Sequence, residues 1–169
     1  MAKPASANYP GYFQRYIDLV EEDDLFTGFQ NQSLRAKELL NSISEERSNY
    51  AYAEGKWTIK ELLQHMIDAE RIFAYRALCF ARGELQSLPG FEENDYAANS
   101  FANNRSWNNL VEEFFSVRNT TEILYKSFNP EALTASGTAN NNKQSVESIG
   151  FIVLGHVNHH LGVLKERYL

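Results

Sequence analysis

Cysteine is almost missing from this chain of 169 residues, and Cys79 alone can neither close an internal disulfide nor build a thiol-rich metal motif. No apolar run approaches the roughly 18 to 20 residues that would span a bilayer. The opening Met1-Ala-Lys-Pro-Ala-Ser-Ala-Asn-Tyr has no apolar stretch of the secretory kind, so the expected setting is cytoplasmic. Positive charge is also short. Sixteen basic against twenty-two acidic residues give a formal charge of -6, a field that opposes phosphate-driven binding of nucleic acid. Against these absences stands a hydrophobic content of 43%, enough to support one core and too much for general disorder. The expectation is a single domain over residues 1–169.

Four helical stretches are legible. The first dozen residues carry Pro4, Pro10 and Gly11 among small polar residues, so residues 1–15 read as a loose arm, with a short helical turn between Tyr12 and Val20. From Asp23 or Asp24, Leu25, Phe29, Ala36, Leu39, Leu40 and Ile43 recur at three- and four-residue steps. The second helix has the clearest start. Thr58-Ile59-Lys60-Glu61 is a capping box, and Trp57 with Leu62 occupies the two positions of a hydrophobic staple. Its apolar period runs to Gly83, a glycine placed to end a helix in the left-handed conformation. Ser106 caps a third helix and Ser145 a fourth that extends to about Arg167.

Between them, residues 84–106 and 129–144 read as loops, and no pair of strands shows strict alternation with hairpin chemistry. Four helices of about 20 residues point to an all-α four-helix bundle.

The histidines carry the chemistry. Of four, three fall within five residues: His156, His159 and His160. Positions four apart on a helix differ by about 40° around the axis, so His156 and His160 project side by side and can chelate one ion. His65, two turns into the second helix, could supply a third imidazole and leave open positions for water or substrate. The competing reading is that these side chains only pack. Helix levels bear on the choice. His65 lies about 10 Å from the start of its helix and His160 about 10 Å from the end of its own. The three meet if the second and fourth helices are antiparallel. That arrangement makes the second and third helices parallel and needs a crossover along the bundle, for which the connection 84–106 is long enough.

These residues also resemble a known family. Lys56-Trp57-Thr58-Ile59-Lys60-Glu61-Leu62-Leu63-Gln64-His65, then Asp68-Ala69-Glu70-Arg71-Ile72-Phe73-Ala74-Tyr75-Arg76, and Gly155-His156-Val157-Asn158-His159-His160-Leu161 near the end are similar to the DinB-like (YfiT-like) superfamily. The resemblance runs from about Tyr16 to Tyr168. It implies an up-down-down-up four-helix bundle and a divalent metal ion, nickel or zinc, on His65, His156 and His160. Relatives include hydrolases and transferases that use low-molecular-weight thiols. The implied activity is therefore activation of water or a thiol, the partner a small-molecule substrate, and a homodimer is one expected assembly. A noncatalytic, stress-related binding module is the alternative.

Other residues divide between roles. Asp68 either orients an imidazole or pairs with a surface cation. Glu70 suits a salt bridge between helices. His159 is an acid–base candidate or an interface residue, and Glu61 is explained by its cap. Cys79, about 21 Å along the helix from His65, is expected to be a buried apolar thiol. Gly155 and Gly162 allow close helix approach or substrate access.

Overall fold

The last three long helices begin at the caps read from the sequence, and the first begins directly after Asp24. In the computed structural model, which describes residues 1–169, α1 spans Leu25–Asn41, α2 Ile59–Ala81, α3 Trp107–Lys126 and α4 Val146–Val163, with one wider turn, Leu164–Tyr168, continuing α4. Asp24, Thr58, Ser106 and Ser145 accept from the third backbone N–H of their helices. At Thr58 the box is complete, because Glu61 also accepts from the Thr58 N–H at 2.8 Å. Gly83 adopts φ +82° just past the end of α2.

Cross-helix contacts fix the directions. Gln64 meets Arg105 just before α3, Arg71 meets Glu113 and Glu70 meets Arg118, so partners on α2 and α3 advance together and the helices are parallel. His65 instead meets His156, near the opposite end of its own helix, which makes α2 and α4 antiparallel. Leu25 lies beside Gly150, and Gln32 bonds Leu154 O and Asn158 Oδ1, so α1 and α4 are parallel. Trp107 Nε1 donates to Leu40 O, while Arg118 bonds Gln32, so α1 and α3 are antiparallel. This is the up-down-down-up order with a crossover between α2 and α3. The core lies in two apolar layers, one around Phe29, Phe80 and Phe151, the other around Leu63, Met66 and Phe114. Burial of these side chains supplies the main driving force for association of the helices. No helix is long and apolar enough to cross a membrane.

Three expectations are corrected. Residues 129–144 do not form a plain loop: Pro130–Thr134 is helical, and Ser136–Ala139 (β1) pairs antiparallel with Asn142–Ser145 (β2). Asn140 and Asn141 between the strands have φ 49° and 60°, the left-handed pair that a two-residue hairpin turn requires. The crossover likewise contains a helix, Glu93–Asn99, and is strapped to the hairpin by Leu88 N–H to Thr138 O and Asn140 N–H to Leu88 O, both 2.9 Å. Nor is the arm loose. The Met1 ammonium pairs with Asp24, Leu25 N–H bonds Met1 O, Ser148 Oγ donates to Asn8 O, and Tyr9 is buried. Its short helix Gln14–Ile17 lies directly on α4 at Gly155, where a Cβ would overlap the Tyr16 carbonyl. The close approach expected at Gly155 is therefore to this arm. Gly162 has nothing within 4 Å of a Cβ position.

Candidate metal centre

The antiparallel pairing of α2 and α4 brings His65, His156 and His160 to one level of the bundle. The Nε2 atom of His156 is 3.0 Å from that of His65 and 3.1 Å from that of His160, and one nitrogen from each ring lies within 4.8 Å of the others. His65 and His156 are buried and His160 is half-buried. Aromatic rings hold them in place: Trp57 stands 4.9 Å from His65 between centroids, and Tyr16 and Phe73 stand 5.6 and 6.1 Å from His156.

Burial keeps all three imidazoles neutral. It lowers the pKa of His65 to about 4, with a smaller contribution from His159, and it holds His156 and His160 well below the usual histidine value. Neutral rings are the form that can donate a lone pair to a metal. Hydrogen bonding alone fits the cluster poorly. A neutral ring nitrogen carries one hydrogen or one lone pair, so Nε2 of His156 can make a regular hydrogen bond to one of its two close neighbours and not to both. A single cation would use all three lone pairs. Nitrogens bound to one tetrahedral zinc at ~2.0 to 2.1 Å lie about 3.3 Å apart, close to the observed spacings. The residues present therefore fit a divalent ion. They supply three donors and no fourth cysteine, aspartate, glutamate or histidine joins them, which is the donor count of an open site and not of a saturated one.

Two cavities reach the cluster. One, of about 370 Å³, touches His160 and His159 and is bordered by Trp57, Tyr168, Lys56 and Arg167. The other, of about 130 Å³, touches His65 and His156 and runs beneath Tyr16 and Phe91. The N-terminal helix, the crossover and the hairpin turn all contribute to its wall through Tyr16, Phe91 and Asn140. The segments outside the four long helices thus converge on one side of the histidines.

The remaining candidates separate cleanly. Asp68 does not reach a histidine. It accepts from Gln64 Nε2 at 2.9 Å and lies 3.8 Å from Arg71, so its role is the surface pairing; burial, against those partners, raises its pKa. No carboxylate hydrogen-bonds any of the three rings, and Nδ1 of His160 is buried without a partner. Glu70 forms the interhelical ion pair, with Arg118. His159 is exposed at the larger cavity, beside Tyr16 at 5.6 Å between ring centroids, with its pKa lowered by partial burial and by Arg15. Glu61 caps α2 and also accepts from Asn103. Cys79 is half-buried, more open than expected, and borders a different cavity near Gly83. Sequence reasoning did not single out Tyr16, Lys56, Arg76 or Arg167. Arg76 carried a usable signal, since eleven residues after His65 it returns to within about 20° of the same helix face.

Comparison with known proteins places the chain in a family and a fold. The sequence model of the DinB superfamily matches residues 31–164, well over half of the chain, and the chain belongs to that superfamily. A protein of Oceanobacillus iheyensis named "Putative metal-dependent hydrolase OB0413" is 29% identical over 63 residues, 37% of this chain. The match spans only 36% of that protein's length. The solved structure of YfiT from Bacillus subtilis, described as "a probable metal-dependent hydrolase with an unusual four-helix bundle topology", superposes with a TM-score of 0.74 over 97% of this chain and 90% of that one. At 11% identity the likeness establishes the fold.

Proposed function

We propose that this DinB-superfamily chain is a metal-dependent enzyme. His65, His156 and His160 would hold one divalent ion, nickel or zinc, and the substrate is a small molecule cleaved by water or joined to a low-molecular-weight thiol. The observation that carries the reading is a three-donor cluster of neutral imidazoles that opens into two cavities. A divalent ion bound there lowers the pKa of water or of a thiol and so supplies a nucleophile near neutral pH.

The surrounding residues have complementary tasks. His159 borders the same cavity as His160, and its lowered pKa leaves it neutral at pH 7, able to accept a proton there. Tyr16, whose pKa is raised to about 12 mainly by burial, keeps its phenolic proton. Trp57 and Tyr168 give the larger cavity apolar walls, while Lys56 and Arg167 place positive charge on its border. A homodimer, one assembly expected from the sequence, would carry this set of side chains in each copy.

A screen of the nickel- and zinc-loaded protein tests the reading, using chromogenic esters and amides on one arm and thiol addition to bimane electrophiles on the other. The expected result is turnover that disappears on chelation and in His156→Ala. Stoichiometric metal with no turnover on either arm, and no response of the bound ion to added thiols, would instead favour the noncatalytic module.

A further inference from the structure

The chain buries two arginines against different surroundings. Arg118, 2% exposed, forms a bidentate pair with Glu70. Arg76, 6% exposed, makes one hydrogen bond, from Nη2 to the Pro89 carbonyl at 2.9 Å, and takes part in none of the ion pairs of the chain. A guanidinium has five N–H donors and stays charged at any ordinary pH. The Arg76 N–H groups that have no protein partner are not sealed from water, and Arg76 borders a cavity in which an anion could complete the pairing of a charge that has little exposure and no counterion.

The cavity that Arg76 borders is the smaller of the two that reach the cluster, the one touching His65 and His156. His65, Ala69, Phe73 and Arg76 all border it, each three or four residues from the next, so it follows one face of α2. The backbone rises about 16 Å from His65 to Arg76. The Arg76 guanidinium, however, lies 5.8 Å from the centre of the Phe73 ring, whose centroid is 6.1 Å from that of His156, so one phenyl ring separates the charge from that imidazole. Ala69, Phe13, Phe73 and Phe91 give the cavity apolar wall, alongside the polar groups of Tyr12, Tyr16 and Asn140. Its one carboxylate, Glu93, is exposed on the crossover helix and makes no ion pair with Arg76.

We propose that Arg76 is the recognition residue for a substrate carboxylate, bound at the Arg76 end of this cavity, with the apolar body of the substrate lying along Phe73. The fork of a guanidinium matches the two oxygens of a carboxylate, and the intervening Phe73 ring sets the carboxylate several bonds away from the reacting group. The inference gives the proposed enzyme its substrate class and rests on that reading of the site.

Titration calorimetry with hexanoate as the probe tests it, beside its neutral isostere hexanamide and inorganic phosphate, on the metal-loaded and on the chelated protein. Hexanoate should bind and hexanamide should not. Arg76→Gln should weaken hexanoate binding roughly ten- to a hundredfold, the loss of charge-assisted hydrogen bonds, with the metal content unchanged. Glu93→Gln, an exposed change that removes the competing negative charge, should strengthen it. Equal binding of hexanoate and hexanamide, or indifference to both substitutions, would overturn the inference, and tighter binding of phosphate than of hexanoate would overturn the carboxylate assignment. If Arg76→Gln does not fold, selectivity over hexanamide and the gain in Glu93→Gln still decide the matter. A chain that takes up no nickel or zinc on loading yet selects hexanoate would refute the metal reading alone; one ion per chain without selectivity would refute the carboxylate alone.

Discussion

Arg118 on α3 clasps Glu70 on α2 through two hydrogen bonds of 2.8 Å, from Nε to Oε1 and from Nη2 to Oε2, with both side chains 2% exposed. The chain of bonds continues. Arg118 Nη1 donates to Gln32 Oε1 on α1 at 2.7 Å, and Gln32 Nε2 donates to Leu154 O and Asn158 Oδ1 on α4 at 2.7 and 2.6 Å. One polar belt therefore crosses all four helices and grips α4 on either side of His156. The belt thereby sets which turn of α4 faces α2, and with it the height at which the histidines meet.

Breaking the belt should be expensive. Glu70→Gln leaves the Arg118 charge buried without its counterion, and the expected cost is about 3–5 kcal/mol. Urea unfolding at pH 7 measures it as a lower midpoint at unchanged slope. A double change, Glu70→Met with Arg118→Met, should recover much of the loss, because paired apolar replacements avoid the unpaired charge.

The two glycines of α4 around the histidines should respond in opposite directions. Gly155→Ala forces a Cβ against the Tyr16 backbone, so the N-terminal helix must lift from α4, at an expected cost of about 1–3 kcal/mol. Gly162→Ala meets nothing within 4 Å and should stabilise α4 by up to about 1 kcal/mol. Thermal unfolding of the two variants, read beside the parent, checks both signs. A neutral Gly155→Ala would mean that the arm does not dock where the structure places it.

Much of this was legible in the sequence because it rests on local rules. The Thr58–Glu61 box starts α2 where expected, and the four-residue step of His156 and His160 fixes their shared face. The length of residues 84–106 and the helix levels of three histidines favoured the crossover topology, which the family resemblance also implied. The hairpin was missed because Ser136–Ala139 and Asn142–Ser145 are short and lack alternating apolar residues. The Asn140-Asn141 pair was its one signal, since asparagine tolerates positive φ. Glu70 was expected in a salt bridge between helices and forms one with Arg118, whereas Asp68 was ambiguous between an imidazole and a surface cation, and only its contacts with Gln64 and Arg71 decide. The docking of the N-terminal arm was hidden for a similar reason, since it depends on distant partners, Asp24, Ser148 and Gly155.

Acid should destabilise the metal-free protein in a defined window. His65 has a folded pKa of about 4 against an unfolded value near 6.5, and His156 and His160 are shifted in the same direction by burial. The unfolded chain thus binds protons first as pH falls. The contribution of these rings to stability is complete above about pH 6.5 and is lost as pH drops towards and through the folded values. For His65 alone the amount is on the order of 3 kcal/mol. Urea unfolding of chelated protein between pH 7.5 and pH 4.5 should show this slope, and His65→Gln should flatten it. A stability independent of pH over that range would contradict burial of neutral imidazoles.

The most direct measurement is the metal content of untagged protein, purified without chelator and analysed by mass spectrometry beside His160→Ala. One nickel or zinc ion per chain in the parent, and almost none in the variant, is the expected result. A parent that retains no ion after incubation with Zn2+ or Ni2+ and dialysis would contradict the metal centre, as would a His160→Ala variant with its full complement.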